Sequence, residues 1–178
     1  METDIEKWFK EEGERVLKEV GIKKAHTILD FGCGAGTYSL PAAKIVGEEG
    51  RIFALDKSRV KLNELIRKAE SAGLENIRIM ETSGELKIPL RERSIDVVLL
   101  YDILHSYYFS LSGRRKLLKE VYRVLKLDGL LSVYPEHMKL KGIIQEIEKT
   151  NFHFEKKYLK ALIHEDRYTG AHVLNFRK

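Results

Sequence analysis

Chemistry concentrates first in a glycine-rich loop, Gly32-Cys33-Gly34-Ala35-Gly36, which follows the apolar run Thr27-Ile28-Leu29-Asp30-Phe31. Glycines let a backbone turn sharply and approach a ligand closely. A helix beyond such a loop offers free N–H groups and a partial positive charge. About twenty residues further on, a second apolar run closes in Asp56, where a carboxylate can accept two hydrogen bonds from ribose hydroxyls. Together these features point to an adenosine-containing cofactor.

The spacing narrows the choice. A dinucleotide fingerprint G-x-G-x-x-G starting at Gly32 needs glycine at position 37, where Thr37 stands; the third glycine is Gly36. That leans away from NAD. No G-x-x-x-x-G-K-[ST] occurs, so there is no P-loop. A second chemical segment is Tyr101-Asp102-Ile103-Leu104-His105-Ser106-Tyr107-Tyr108-Phe109. His105, with an ordinary pKa near neutrality, is the candidate general base. Tyr107 or Tyr108 can wall a substrate pocket or face a cation. The plainer alternative is that His105 caps a turn and the tyrosines pack the sheet edge. Glu136 and His137 are placed near the same site. Cys33, the one cysteine, has no base beside it and reads as a small packing residue. No His, Cys and carboxylate group has metal-ligand spacing along the chain, so no metal is expected.

These residues need a frame. Strands are expected at Thr27–Phe31, Arg51–Asp56, Asn76–Glu81, Ile95–Tyr101 and Leu130–Tyr134, with two more β stretches at about Phe154–Ile163 and Ala171–Phe176. Amphipathic helices alternate with the first five. The first is opened by a Thr3/Glu6 capping box and followed by Gly21, with Gly13 as a weak point in its middle. Others run from about Thr37 to Val46, after Ser58, from Ser112, and through Leu140–Ile147. The last two strands have no helix between them and form an antiparallel hairpin, its turn at Asp166 to Gly170. The expected fold is therefore α/β: a Rossmann-like, doubly wound, seven-stranded sheet, mostly parallel, with helices on both faces. Ligands in such sheets bind at the carboxyl ends of the strands, near the switch in strand order.

Composition fits one domain, 1–178: an N-terminal helix over the site (1–24), a cofactor-binding core (25–135), and a helix with the terminal hairpin (136–178). The 178 residues are 43% hydrophobic, enough for a full core. No apolar run reaches membrane-spanning length, and the charged N-terminus lacks an apolar signal region, so a cytoplasmic location is expected. A lone cysteine excludes a disulfide scaffold. Net charge is +5, and residues 91–178 carry 17 Lys and Arg against 11 Asp and Glu. Arg114-Arg115-Lys116 and Lys139-Leu140-Lys141 read as solvated helix faces before they read as RNA contacts. Abundant Lys and Glu with a single glutamine, Gln145, is a bias found in hyperthermophile proteins.

The segment ILDFGCGAGTYSL (28–40), with ALD ending at Asp56, the Leu-containing turn before SIDVV, YDILH (101–105) and EVYRVLKLDGLLSVY (120–134), resembles class I S-adenosylmethionine-dependent methyltransferases. Within them it is similar to the small-molecule branch typified by ubiquinone and menaquinone biosynthesis enzymes. The resemblance covers about residues 25–135. It implies transfer of a methyl group from S-adenosylmethionine to a small-molecule acceptor, releasing S-adenosylhomocysteine. It also implies that Asp30, Gly32 and Gly34, with Cys33 between them, hold the methionyl portion. Asp56 would take the ribose, Lys57 flank the adenine, and Ser83-Gly84-Glu85 contact the adenine edge. Tyr101 would line the methionyl pocket, with His105 and Tyr107 as the candidate catalytic pair. Ser83 stands where the family commonly has Asp. The family's [DNS]-P-P-[YFW] signature for adenine amino methylation is absent after strand four, and the single cysteine argues against cytosine C5 methylation. RNA or protein acceptors, a non-catalytic cofactor-binding module and an NAD-dependent oxidoreductase stand as alternatives. Nucleic acid is not the favoured partner, and the sequence does not set the oligomeric state.

Overall fold

The computed structural model describes residues 2–178. Its seven strands are β1 (Thr27–Phe31), β2 (Arg51–Asp56), β3 (Ile77–Glu81), β4 (Ile95–Tyr101), β5 (Leu125–Tyr134), β6 (His153–His164) and β7 (Arg167–Arg177). They form one sheet in the order β3-β2-β1-β4-β5-β7-β6. The pairs among β1 to β5 are parallel, whereas β7 runs antiparallel to both β5 and β6. The chain leaves β1 towards β2 and β3 and returns to β4 on the other side of β1. The strand order thus switches between β1 and β4.

The helices are α1 (Asp4–Lys7), α2 (Gly13–Glu19), α3 (Ser39–Val46), α4 (Arg59–Ser71), α5 (Leu111–Val124) and α6 (Leu140–Glu148). Alternation along the buried strands sorts the core into two layers. Ile28, Ile52, Val97 and Leu130 pack with Leu17, Leu40, Ala43 and Leu65 from α2, α3 and α4. Their neighbours Leu29, Val98, Leu100 and Leu131 pack with Leu117, Val121, Ile143 and Ile147 from α5 and α6. Helices therefore cover both faces. Of the sheet edges, β3 is half-buried and β6 largely exposed, and β6 carries Lys156, Lys157 and Lys160.

Local chemistry explains the differences from the sequence pattern. The first helix is not uniform: Trp8–Glu12 is a π turn joining α1 to α2. Gly13 is not merely a weak point, because a Cβ there would lie 2.9 Å from the Trp8 indole and carbonyl oxygen. The π turn and the missing side chain together seat the fully buried Trp8. Ser110, not Ser112, caps α5, its Oγ accepting from the Gly113 N–H. β5 begins at Leu125, five residues early, and accommodates Asp128 at φ 59 with a register shift opposite Ile95 and Val97. The β6–β7 turn is Glu165-Asp166, both at positive φ (48 and 61), the twist that a two-residue hairpin turn requires.

Candidate active site

The carboxyl ends of β1, β2 and β4 surround a cavity of about 610 Å³, where the switch in strand order places it. The glycine loop forms its floor. The Gly32 and Cys33 N–H groups both donate to the Leu55 carbonyl, at 2.7 and 3.1 Å, folding the loop over the end of β2. The Gly34 N–H donates to Asp56 Oδ2 and the Ser58 N–H to Asp56 Oδ1, each at 2.8 Å. Asp56 is thus held rigidly at the strand end, with a second lone pair left on each oxygen for a ligand.

The three loop glycines do different work. A Cβ on Gly32 would lie 2.2 Å from Ile103 Cδ1, and one on Gly36 would lie 2.3 Å from Leu65 Cδ1. These two are glycine because the fold packs against them. A Cβ on Gly34 would meet nothing nearer than Lys61 Cδ at 3.8 Å, so this glycine leaves room for a ligand. Asp30 lies beneath the loop, 2% exposed, and accepts from Ser39 Oγ at 2.6 Å. Burial, aided by the nearby Asp56 carboxylate, pushes its pKa up to about 6 against the bond from Ser39. Asp30 lines the cavity and bonds at the start of α3; its partner is Ser39, not a loop N–H.

Lys57, Gly84 and Glu85 line the cavity as the sequence suggests. Ser83 is exposed and does not. Its neighbour Thr82 lines the wall instead, its N–H bonded to the Asp56 carbonyl and its Oγ1 accepting from the Gly84 N–H. Cys33 is buried, and desolvation raises its thiol well above the ordinary range, so it supplies no thiolate.

At the other end the walls are aromatic. Tyr38 and Tyr101 meet edge to face at 4.7 Å. The Tyr101 hydroxyl pairs with Ser132 Oγ at 2.9 Å, and the Tyr38 hydroxyl donates to the Ile163 carbonyl at 2.9 Å. Trp8 Nε1 donates to the Thr37 carbonyl at 2.7 Å, tying the π turn to the loop. Ile103, Tyr108, Phe109, His164, Glu165 and Asp166 complete the rim. Tyr38 and the β6–β7 tip escaped sequence reading; they reach the site only through tertiary packing.

The two candidate catalytic residues lie elsewhere. Tyr107 is 87% exposed and faces solvent, and Tyr108 takes the wall position. His105 is buried beside the cavity and not in its lining; its Nδ1 accepts from the Tyr107 N–H at 3.3 Å, the turn-capping alternative. Burial depresses its pKa, while Asp102 opposes the shift. The basic cluster at 114–116 is split: Arg115 and Lys116 are exposed, Arg114 is not. Arg114 is buried and pairs through two bonds, 2.8 and 3.1 Å, with Glu146, while a third reaches the Phe109 carbonyl. Arg114 therefore braces the aromatic segment. The expectation of no metal-ligating group rested on spacing along the chain, yet the fold gathers Asp102, His137 and His164 from three segments.

Comparison with known proteins is specific. The methyltransferase domain family matches residues 28–129, more than half of the chain. The chain belongs to the class I S-adenosylmethionine-dependent methyltransferases. A demethylmenaquinone methyltransferase from Staphylococcus aureus is 30% identical over 117 residues, 66% of this chain and 46% of that protein. The chain thus spans about half the length of the curated relatives it matches. A crystal structure of a SAM-dependent methyltransferase from Aquifex aeolicus superposes with a TM-score of 0.75 at 25% identity, covering 93% of this chain and 88% of that one. A Methanosarcina mazei structure shares the fold at 18% identity, with a TM-score of 0.75 and coverage of 91% and 96%. The family's cofactor is S-adenosylmethionine, which sets the NAD reading aside. The chain's own residues suit that cofactor. Open space at Gly34, the fixed Asp56 carboxylate and the aromatic faces of Tyr38 and Tyr101 offer contacts for a nucleoside, a ribose and a sulfonium respectively.

Proposed function

We propose that this methyltransferase moves a methyl group from S-adenosylmethionine to a small, ring-bearing acceptor of the hydroxylated aromatic class. One observation carries the reading. A single cavity runs from Asp56 and the glycine loop to an apolar, aromatic mouth formed by Ile103, Tyr108, Phe109 and Ile163. Its size lies within the range of small-molecule sites. The 30% identical demethylmenaquinone methyltransferase supports the acceptor class.

When bound, S-adenosylmethionine supplies an electrophilic methyl group. Asp56, oriented by two backbone N–H groups, holds the ribose; Thr82, Gly84 and Glu85 border the adenine, and Lys57 flanks it. Asp30 faces the methionyl end, where a positively charged amino group favours its ionised form. Tyr38 and Tyr101 present ring faces and edges around the reacting centre and exclude water. Methyl transfer from a sulfonium is an in-line displacement, so positioning contributes most of the catalysis.

Calorimetric titration with S-adenosylhomocysteine tests the cofactor half, with NAD as control. Binding weakened at least about tenfold by Asp56→Ala is expected, the loss of one or two charge-assisted hydrogen bonds. A radiolabelled-methyl screen of hydroquinones and phenols against RNA and bulk protein tests the acceptor. Label found only in RNA or protein would sink the small-molecule reading.

A further inference from the structure

We propose that Asp102, His137 and His164 form a binding site for a divalent transition-metal ion at the rim of the cofactor cavity. Asp102 follows β4, His137 sits in the turn after β5, and His164 closes β6. One ligand atom from each lies within 4.8 Å of the other two. His164 Nδ1 is 3.2 Å from Asp102 Oδ2. Two atoms each about 2.0–2.1 Å from one ion at a tetrahedral angle stand roughly 3.3 Å apart, so this pair already has ligand spacing. The exposed His137 ring needs only a small swing to complete the triad, and its exposure gives the ion a path in.

A second observation points to a missing ligand. Asp102 Oδ1 is buried with no hydrogen-bond partner among the described residues. Oδ1 lies on the His105 side of the carboxylate and Oδ2 on the His164 side, so an ion held through both oxygens would satisfy the costly unpaired one as well. The group beside it suits a supporting role. His105 Nδ1 accepts the Tyr107 N–H, so the ring proton sits on Nε2, the atom 3.7 Å from Asp102 Oδ1. At that distance the imidazole stands behind the carboxylate without bonding it, the place that a supporting partner of a metal ligand takes. Asp102 and His137 are also held at φ 56 and 63, backbone that side chains other than glycine adopt sparingly.

Two imidazoles and one carboxylate select zinc, cobalt, iron or nickel over magnesium and calcium, which prefer all-oxygen shells. Asp102 and His164 line the cavity, so the open coordination positions face it. Resting on the methyl-transfer reading, the ion would take an acceptor hydroxyl oxygen, the O–H proton passing to water, and hold the oxygen as its anion beside the cofactor. The imidazoles, not a free His105, would then set the acceptor's reactivity.

The test uses the full chain after chelator treatment. Calorimetry should show one Zn²⁺ per chain with a Kd of roughly 1 μM or tighter, and no Mg²⁺ binding at millimolar concentration. Co²⁺ should give visible absorption bands of a four- or five-coordinate ion. His137→Ala and His164→Ala should each weaken Zn²⁺ binding on the order of 100-fold, whereas His153→Ala, at the far end of β6, should not. Zn²⁺ binding that is absent, or unchanged in both histidine variants, overturns the site. A metal-free S-adenosylhomocysteine titration separates the failures: cofactor binding without Zn²⁺ binding ends the metal proposal and leaves the methyltransferase reading standing. His137 lies outside the cavity lining, so His137→Ala should retain S-adenosylhomocysteine binding, which shows that the variant folds.

Discussion

The two ends of the cavity are built on different principles. The cofactor end draws on residues 30–34, 56–58, Thr82 and 84–86, each in a short run at or after the end of a strand, and its key contacts are backbone N–H groups bonded to one carboxylate. The acceptor end joins Tyr38, residues 101–103, Tyr108, Phe109 and the 163–166 tip, and its contacts are made by side chains meeting across the fold. A backbone-built half tolerates change only where space is open. A side-chain-built half is held by remote braces, and its specificity can drift without disturbing the cofactor.

The strongest challenge to that contrast is Arg114→Ala. It leaves the largely covered Glu146 carboxylate without its partner and releases the Phe109 carbonyl. Breaking such a pair should lower stability by about 4 kcal/mol in urea unfolding. The acceptor KM should rise while S-adenosylhomocysteine affinity holds; an equal loss of both would show that the halves are not separable.

Asp30 tests the cofactor half from below. A carboxyl pKa raised to about 6 from 3.8 means that the folded state keeps a proton the unfolded chain has lost. The contribution of Asp30 to stability is then most favourable below pH 4, falls as pH rises towards 6, and stays reduced above it. The deficit at pH 8 is on the order of 3 kcal/mol. Asp30→Asn should recover about that much at pH 8 and nothing at pH 3.5, while weakening cofactor binding. A gain that persists at pH 3.5 would mean that the strain is steric.

Gly34→Ala should change stability by only about 1 kcal/mol, the strain of φ +53, since its Cβ meets open space. It should nevertheless reduce S-adenosylhomocysteine affinity tenfold or more. The same change at Gly36 should act in reverse, on stability first, because Leu65 stands in the way. The smallest effect belongs to Tyr107→Ser: within about 0.5 kcal/mol on stability, as for other solvent-facing positions, and little on turnover. A large loss of activity there would restore Tyr107 to the site.

The same contrast explains what the sequence revealed. β1, β2 and β4 and the glycine loop were legible because apolar runs, turn glycines and strand-end acids are local signals. The boundaries that slipped have local causes: two serines stand near the start of α5 and only Ser110 caps it, and β5 runs on through an irregularity between Leu125 and Leu130 that a turn-like Asp128-Gly129 disguises. Ser83 and Thr82 differ only in which way the chain faces after β3. The acceptor end was opaque for a deeper reason. His137 and His164 become neighbours of Asp102 only when β4, β5 and β6 lie in one sheet. Arg114 is adjacent in sequence to Arg115, yet only one of them meets Glu146.

The Tyr168 N–H donates to Asp4 Oδ2 across 164 residues, and Tyr38 reaches the Ile163 carbonyl across 125. The mouth of the cavity is therefore closed by segments far apart in synthesis order. The cofactor cradle can form once β1, β2 and β4 pair, but its rim must wait for the β6–β7 hairpin to dock on the first helix. Contacts of such long sequence separation are slow to form. During folding the methyltransferase should pass through a stage in which the nucleoside cradle exists and the acceptor mouth does not.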